Sequence, residues 1–173
     1  MDKNKTLKQR KSLYMTVLMT PDMANFSGVV HGGALLKLLD QVAYSCAARY
    51  SQSYVVTLFL DQVYFKEPIY VGELVTFKAN VNYVGRTSME VGVKVVAENL
   101  QTHESRHTNS CYFTMVAKDE SGETQELPPL EVVSEVEVKL FEAAQMRNAL
   151  RKEVMEKSKK FHVEGLDDER PWL

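Results

Sequence analysis

Residues 31–50 read HGGALLKLLDQVAYSCAARY, from His31 to Tyr50, and the reading of the whole chain turns on this stretch. The spacing predicts one long helix. Its apolar residues are spread round most of the circumference, and only Lys37, Gln41, Ser45 and Arg49 give a thin polar line at four-residue spacing. A helix that apolar is expected to be buried on most sides. Asp40 breaks the pattern. Side chains three and four apart share a helix face, so its neighbours are Leu36, Ala43, Tyr44 and Ala47, with Gly33 further back. Burying an unpaired carboxylate costs several kcal/mol or shifts its pKa. A lone aspartate in apolar company is therefore a candidate for chemistry.

Outward from the helix the pattern changes to period two. Ser12 to Met19 is a short strand, with Leu13, Met15, Val17 and Met19 on one face, and Pro21 ends it. Residues 21–30 form a loop rich in turn residues. After the helix come four strands: Tyr54 to Phe65, Leu74 to Val84, Ser88 to Glu98 and Arg106 to Lys118. Val75, Phe77, Ala79, Val81 and Tyr83 alternate with Thr76, Lys78, Asn80 and Asn82. Met89, Val91, Val93, Val95 and Ala97 repeat the pattern one strand later. Alternation over this length, bounded by turns, signals an antiparallel meander. The expected fold class is α+β: a single domain over 12–118, its long central helix wrapped by a curved antiparallel sheet. Such a sheet has free edges, and a second copy of the chain would cover the open edge and the remaining helix face.

The ends read differently. Residues 1–11 are a basic segment without the apolar stretch of a signal peptide. Residues 119–138 form a linker around Leu127-Pro128-Pro129-Leu130, and 139–173 hold an amphipathic helix and a tail. That helix, over 139–160, aligns Ala143, Met146, Leu150 and Val154 on one stripe, expected to dock on the domain or on a neighbouring subunit. Its mixed charges argue against a membrane surface.

Composition narrows the function classes. The chain has 173 residues, 45% of them hydrophobic, with 21 Lys+Arg against 23 Asp+Glu and a net charge of −2. This balance argues against nucleic acid as the main partner. No apolar run reaches the ~20 residues that span a bilayer, so a soluble, cytoplasmic protein is the expectation. Cys46 and Cys111 lie in apolar segments and read as buried free thiols. His103 and His107 read as surface residues and not as metal ligands, for want of a helix and a third ligand. No metal and no cofactor is expected. There is no Gly-x-Ser-x-Gly elbow anywhere in the chain.

Several other residues carry polar groups that could share a site with Asp40. Asp40 is a base or a nucleophile if its surroundings favour it; otherwise it is a structural aspartate satisfied by hydroxyls or backbone donors. Asn25, fifteen residues earlier, can polarise a carbonyl or orient water, or it can simply shape a turn. Gly32 and Gly33 open the helix, where N–H groups lack internal partners and face the positive end of the dipole. They suit an oxyanion, or they only allow tight packing. His31 is either a donor to the site or a capping residue. Arg86, Thr87 and Ser88 supply a cation, hydroxyls and turn N–H groups fit for a phosphate, or form an ordinary hairpin turn.

Asn25-Phe26-Ser27-Gly28-Val29-Val30-His31-Gly32-Gly33, followed by Leu36-Lys37-Leu38-Leu39-Asp40, resembles the hotdog-fold acyl-CoA thioesterases, in their brain acyl-CoA hydrolase and YciA-like branch. Val56-Thr57 and Gly85-Arg86-Thr87-Ser88-Met89-Glu90-Val91 agree with that branch, over about residues 12–118. The resemblance implies hydrolysis of fatty acyl-CoA to free fatty acid and CoA. It assigns the catalytic acid position to Asp40, and it places Asn25 opposite the Asp40 of a second subunit. It also implies a homodimer that assembles further into a trimer of dimers. Two alternatives use the same pocket. One is a non-catalytic acyl-CoA sensor, although the basic N-terminus is too short for a helix-turn-helix. The other is a 3-hydroxyacyl thioester dehydratase, for which His31, nine residues before Asp40, is a weak match to the His that chemistry wants.

Overall fold

The computed structural model describes residues 10–159. Five strands form one antiparallel sheet: β1 (Ser12–Leu18), β2 (Tyr54–Phe65), β3 (Leu74–Val84), β4 (Ser88–Glu98) and β5 (Ser105–Lys118). They lie side by side in the order β1-β3-β4-β5-β2, so β1 and β2 are the two edges. The two central hairpins follow the sequence periodicity closely. Val75, Phe77, Ala79 and Val81 on β3 and Met89, Val91, Val93, Val95 and Ala97 on β4 are all buried on one face. Gly92 sits mid-strand because a Cβ there would lie 2.4 Å from Asn82 Nδ2. Most of the basic segment 1–11 and the end of the tail after Lys159 lie outside the described residues.

Helix α1 (Gly32–Ser51) packs on the apolar face of the sheet. Leu35, Leu39, Val42, Ala43, Cys46, Ala47 and Tyr50 are buried. These positions repeat at three- and four-residue steps, the stripe that one side of a helix presents. Burying a Leu or Val side chain fully contributes about 1.5–3 kcal/mol, so this stripe anchors the domain. The helix ends at Gln52, whose left-handed backbone lets its N–H reach Ala48 O at 2.9 Å.

The structure corrects the expectation of a helix buried on most sides. Within the protomer the sheet covers only one side of α1. Lys37, Asp40, Gln41 and Tyr44 are exposed on the other, and Leu36 and Leu38 are half-buried. Asp40 therefore does not lie in a dry apolar stripe of its own chain. The two buried leucines, Leu35 and Leu39, each precede a half-buried or polar residue, and the sheet selects the register that the composition alone left open.

The opposite face of the sheet is crossed by α2 (Glu135–Lys159), which begins four residues before the expected position. Lys11, just before β1, pairs with Glu137 at 2.6 Å. Phe141 packs on Tyr83 of β3 with ring centroids 5.2 Å apart. Arg147 forms a two-pronged pair with buried Glu90 of β4, at 3.0 and 2.7 Å, and stacks 3.6 Å over Tyr112 of β5. Arg151 pairs with Asp61 of β2 and stands over Phe59. Planar guanidinium groups suit such forked contacts with carboxylates. The expected apolar stripe does not dock on its own domain; the other place expected for it is a neighbouring subunit. Leu140, Phe141, Ala144, Arg147 and Arg151 face the sheet, while Met146, Leu150 and Val154 are exposed.

Candidate active site

Asp40 lies a little over two turns into α1. Its Oδ1 accepts a hydrogen bond from Thr57 Oγ1 at 2.7 Å. Thr57 belongs to β2, an edge strand, and its hydroxyl also lies 3.5 Å from Met115 Sδ. The carboxylate is held by one hydroxyl and is exposed, at the seam between α1 and the open edge of the sheet. The sequence singled out Asp40 but not Thr57 as its partner. Seventeen residues separate them, and no local pattern joins a helix residue to one on the next strand.

At the start of α1, His31 is the N-cap. Its Nδ1 accepts from Gly33 N–H at 2.9 Å. This is the capping role held open for His31. It also takes Gly33 out of the donor set expected there, because that N–H is already used. Among the described residues, the N–H groups of Gly32 and Ala34 have no acceptor, so they are the free donors at the positive end of the helix. Beside Gly32 opens a cleft of about 260 Å³, lined by Val29, Val30, Gly32, Leu35, Phe65 and Ile69, with Lys66 and Glu67 at its rim.

The far wall of that cleft is the segment between β2 and β3, held by one arginine. Arg106 donates to both oxygens of Glu73, at 2.6 and 2.8 Å, and to Pro68 O at 2.7 Å. Glu67 lies 3.3 Å from its Nε, and the Tyr70 ring 5.7 Å away. Burial pushes the Glu73 carboxyl up, but hydrogen bonds from Arg106 and Tyr70 N–H, with the Arg106 charge, outweigh it and hold the group below the ordinary glutamate range.

Asn25 stands in the loop before α1. Its Oδ1 accepts from Ser27 N–H at 2.9 Å and Val29 N–H at 3.2 Å, which is the turn-shaping role held open for it. Its Nδ2 is left as a donor without a partner among the described residues. The loop continues straight into the helix, with His31 N–H bonded to Met23 O at 2.7 Å. Phe26, next to Asn25, is fully exposed. No hydrogen bond joins Asn25 to Asp40 within the protomer.

Arg86, Thr87 and Ser88 form the β3–β4 turn, at the end of the sheet away from Gly32. Arg86 is exposed and faces Glu126 at 3.6 Å, while its carbonyl accepts from Leu127 N–H at 2.9 Å. The turn is tied to the linker and makes no contact with Asp40. Cys46 and Cys111 are buried and free, and burial pushes both thiols up to about 12, which leaves them protonated and unfit as nucleophiles. His103 is exposed, whereas His107 is half-buried, with Nε2 2.9 Å from Asn109 O and from Ser110 Oγ. Among the described residues, no helix is long and apolar enough to cross a membrane.

One length governs what these groups can do together. Eight residues separate Gly32 from Asp40 on the same helix, a rise of about 12 Å. A single reacting carbonyl cannot contact both the free N–H groups and the carboxylate of one chain.

The thioesterase superfamily model matches residues 27–103. Protein VdlD of Helicobacter pylori is 52% identical over 82% of this chain and 81% of its own length. A solved apo-hexameric acyl-CoA thioesterase is 38% identical, with a TM-score of 0.82, covering 84% of this chain and 94% of that one. An acyl-CoA hydrolase from Staphylococcus aureus, solved in complex with butyryl coenzyme A and coenzyme A, is 28% identical with a TM-score of 0.80, covering 87% and 92%. Its structures include single replacements of an asparagine, an aspartate and a threonine by alanine.

Proposed function

This chain belongs to the thioesterase superfamily, and from that membership we propose that it hydrolyses acyl-CoA to a free acid and CoA at a site shared between two copies. The observation that carries the proposal is Asp40, held by Thr57 at the open edge of the sheet, about 12 Å along α1 from the free N–H groups of the same chain. A second copy closes that gap. In the composite site, Asp40 and Thr57 come from one chain, and Asn25 with the Gly32 and Ala34 N–H groups comes from its partner. Asn25 and the helix start travel together because one continuous loop links them.

Three surfaces support such a partner. Among the described residues β2 pairs with β5 alone, so its other side is free there. Leu58, Leu60 and Tyr64 are exposed along it. Phe26 stands exposed beside Asn25, where an apolar ring has no use in a lone protomer. The hexameric relative is consistent with further assembly of dimers.

The chemistry follows from the groups. Asp40 Oδ2 removes a proton from water as the water oxygen bonds to the thioester carbonyl carbon. The former carbonyl oxygen becomes an oxyanion, stabilised by the Gly32 and Ala34 N–H groups and Asn25 Nδ2 of the partner. The C–S bond then breaks, the acid is released, and the proton held by Asp40 passes to the departing CoA sulfur. The apolar cleft beside Gly32 takes the slender part of the substrate, and Lys66 at its rim faces the charged end. Arg86 to Ser88 supply a second, outlying contact for phosphate. His31 Nδ1 is engaged in capping, which counts against the proton-transfer role a dehydratase would ask of it.

The deciding measurement is thiol release from a series of acyl-CoAs. Asp40→Asn is expected to lower turnover by about 10²–10⁴-fold with the fold and the oligomer kept. Saturable acyl-CoA binding without thiol release by the unaltered protein would instead identify a sensor.

A further inference from the structure

Helix α2 crosses the sheet one strand at a time. Glu137 meets Lys11 before β1, Phe141 meets β3, Arg147 meets β4 and β5, and Arg151 meets β2. From Glu137 to Arg151 the helix rises about 21 Å, against about 19 Å for four strand spacings. The helix therefore reaches the edge strand at Arg151 and does not stop there. Residues Lys152 to Lys159 continue as regular helix for about 12 Å beyond the edge, the width of two to three further strands. Every one of them is exposed.

This overhang carries apolar groups with nothing beneath them among the described residues. Met155, 45% exposed, follows Arg151 by four residues and Ala144 by eleven, so it continues the face that is docked on the sheet. Ser158 extends the same face. Val154 and Leu150, 61% and 51% exposed, form one flank. A docked face that persists past the end of its own sheet implies that another sheet lies beneath it.

We propose that residues 152–159 of α2 form a strap that lies on the outer sheet face of a second copy and alongside that copy's α2. The inference rests on the pairing of copies at β2 described above. Strand β2 runs from Tyr54 to Phe65, and α2 crosses it near the middle, at Phe59 and Asp61. A two-fold axis joining two β2 edges therefore brings the two α2 helices side by side and antiparallel. The axis passes between the two helices, level with a point just past Arg151. Reflecting the stripe about that point sets Leu150 of one copy opposite Val154 of the other, and Val154 opposite Leu150. The flank is thus self-complementary, as an isologous contact requires. Met155 points down at the neighbouring sheet.

The test uses the full-length protein carrying Val154→Glu and Met155→Glu together. Both positions are exposed in the protomer, so the domain itself should fold, and far-ultraviolet circular dichroism and the thermal transition check this. Subunit exchange between two differently tagged populations is followed by mass spectrometry. The double variant is expected to exchange at least tenfold faster than the parent, while thiol release per dimer at high protein concentration is unchanged. An unchanged exchange rate overturns the strap. Loss of a higher oligomer to a dimer that exchanges at the parent rate also overturns it, because the stripe would then join dimers instead. A parent protein that is an active monomer refutes the shared site itself, an outcome separate from either.

Discussion

Mixing two inactive variants should restore activity. In the shared site, Asp40 of one chain works with Asn25 of the other, because Gly32, where the Asn25 loop enters the helix, lies about 12 Å along it from the same chain's Asp40. Asp40→Asn spoils the site that uses its own carboxylate, and Asn25→Ala spoils the site that borrows its asparagine. A dimer of one chain of each kind has one doubly damaged site and one intact site. Random pairing of equal amounts gives half mixed dimers, each with one of two sites working, so the mixture should reach about a quarter of parental activity. Each parent variant alone should stay at its residual level. Co-refolding the two chains and measuring thiol release at saturating acyl-CoA gives the number directly. A mixture no more active than the sum of its parents would refute the shared site and require Asp40 and Asn25 to act within one chain.

Other consequences follow from the same geometry. Thr57→Val removes the hydroxyl on Asp40 Oδ1; a hydrogen bond to a charged group is worth about 1.5–3 kcal/mol, and Asp40 is exposed, so kcat should fall about tenfold with KM nearly unchanged, as steady-state kinetics will show. Gly32→Ala places a Cβ 3.8 Å from Phe65 Cζ, an ordinary contact, so the melting temperature should hold while KM for acyl-CoA rises; an unchanged KM would mean that the cleft is not used. Glu73→Gln strips the buried Arg106 pair of its charge and should cost about 2–3 kcal/mol in urea unfolding, below the usual figure for a broken buried pair because Arg106 is partly exposed. Since folding holds the Glu73 carboxyl below its ordinary value of 4.5, its stabilisation is complete above that value and is lost as pH falls through the folded one. The acid side of the stability profile should therefore flatten in Glu73→Gln.

Much of the fold was legible because local rules and tertiary packing agree. The strands Leu74–Val84 and Ser88–Glu98 carry strict alternation between turn residues, and the structure places them at those bounds. Helix α1 starts where His31 can cap it. The orientation of that helix was not legible. Leu35, Leu36, Leu38 and Leu39 surround the axis, and only the sheet decides that Leu35 and Leu39 go inside. The same choice turned Asp40 outward, so the dry apolar setting that made the carboxylate stand out in the sequence is one that the protomer lacks. The partners Thr57–Asp40, Arg106–Glu73 and Arg147–Glu90 lie 17, 33 and 57 residues apart. No periodicity within an element reports such pairs. Helix α2 was only half legible for a related reason: the face docked on its own sheet is built on arginines, and its apolar stripe is left exposed on the protomer.

The free edge of β2 also bears on how the protein is made in the cell. A newly folded protomer presents unpaired backbone groups beside Leu58, Leu60 and Tyr64. Such an edge is a template for any other unpaired strand. Correct pairing depends on the square of protomer concentration, whereas a crowd of partly folded neighbours offers wrong partners at every step of synthesis. Yield of usable protein should then depend on how quickly two finished chains meet. Rapid, hot expression would favour aggregates, and slow, cool expression would favour the assembled form.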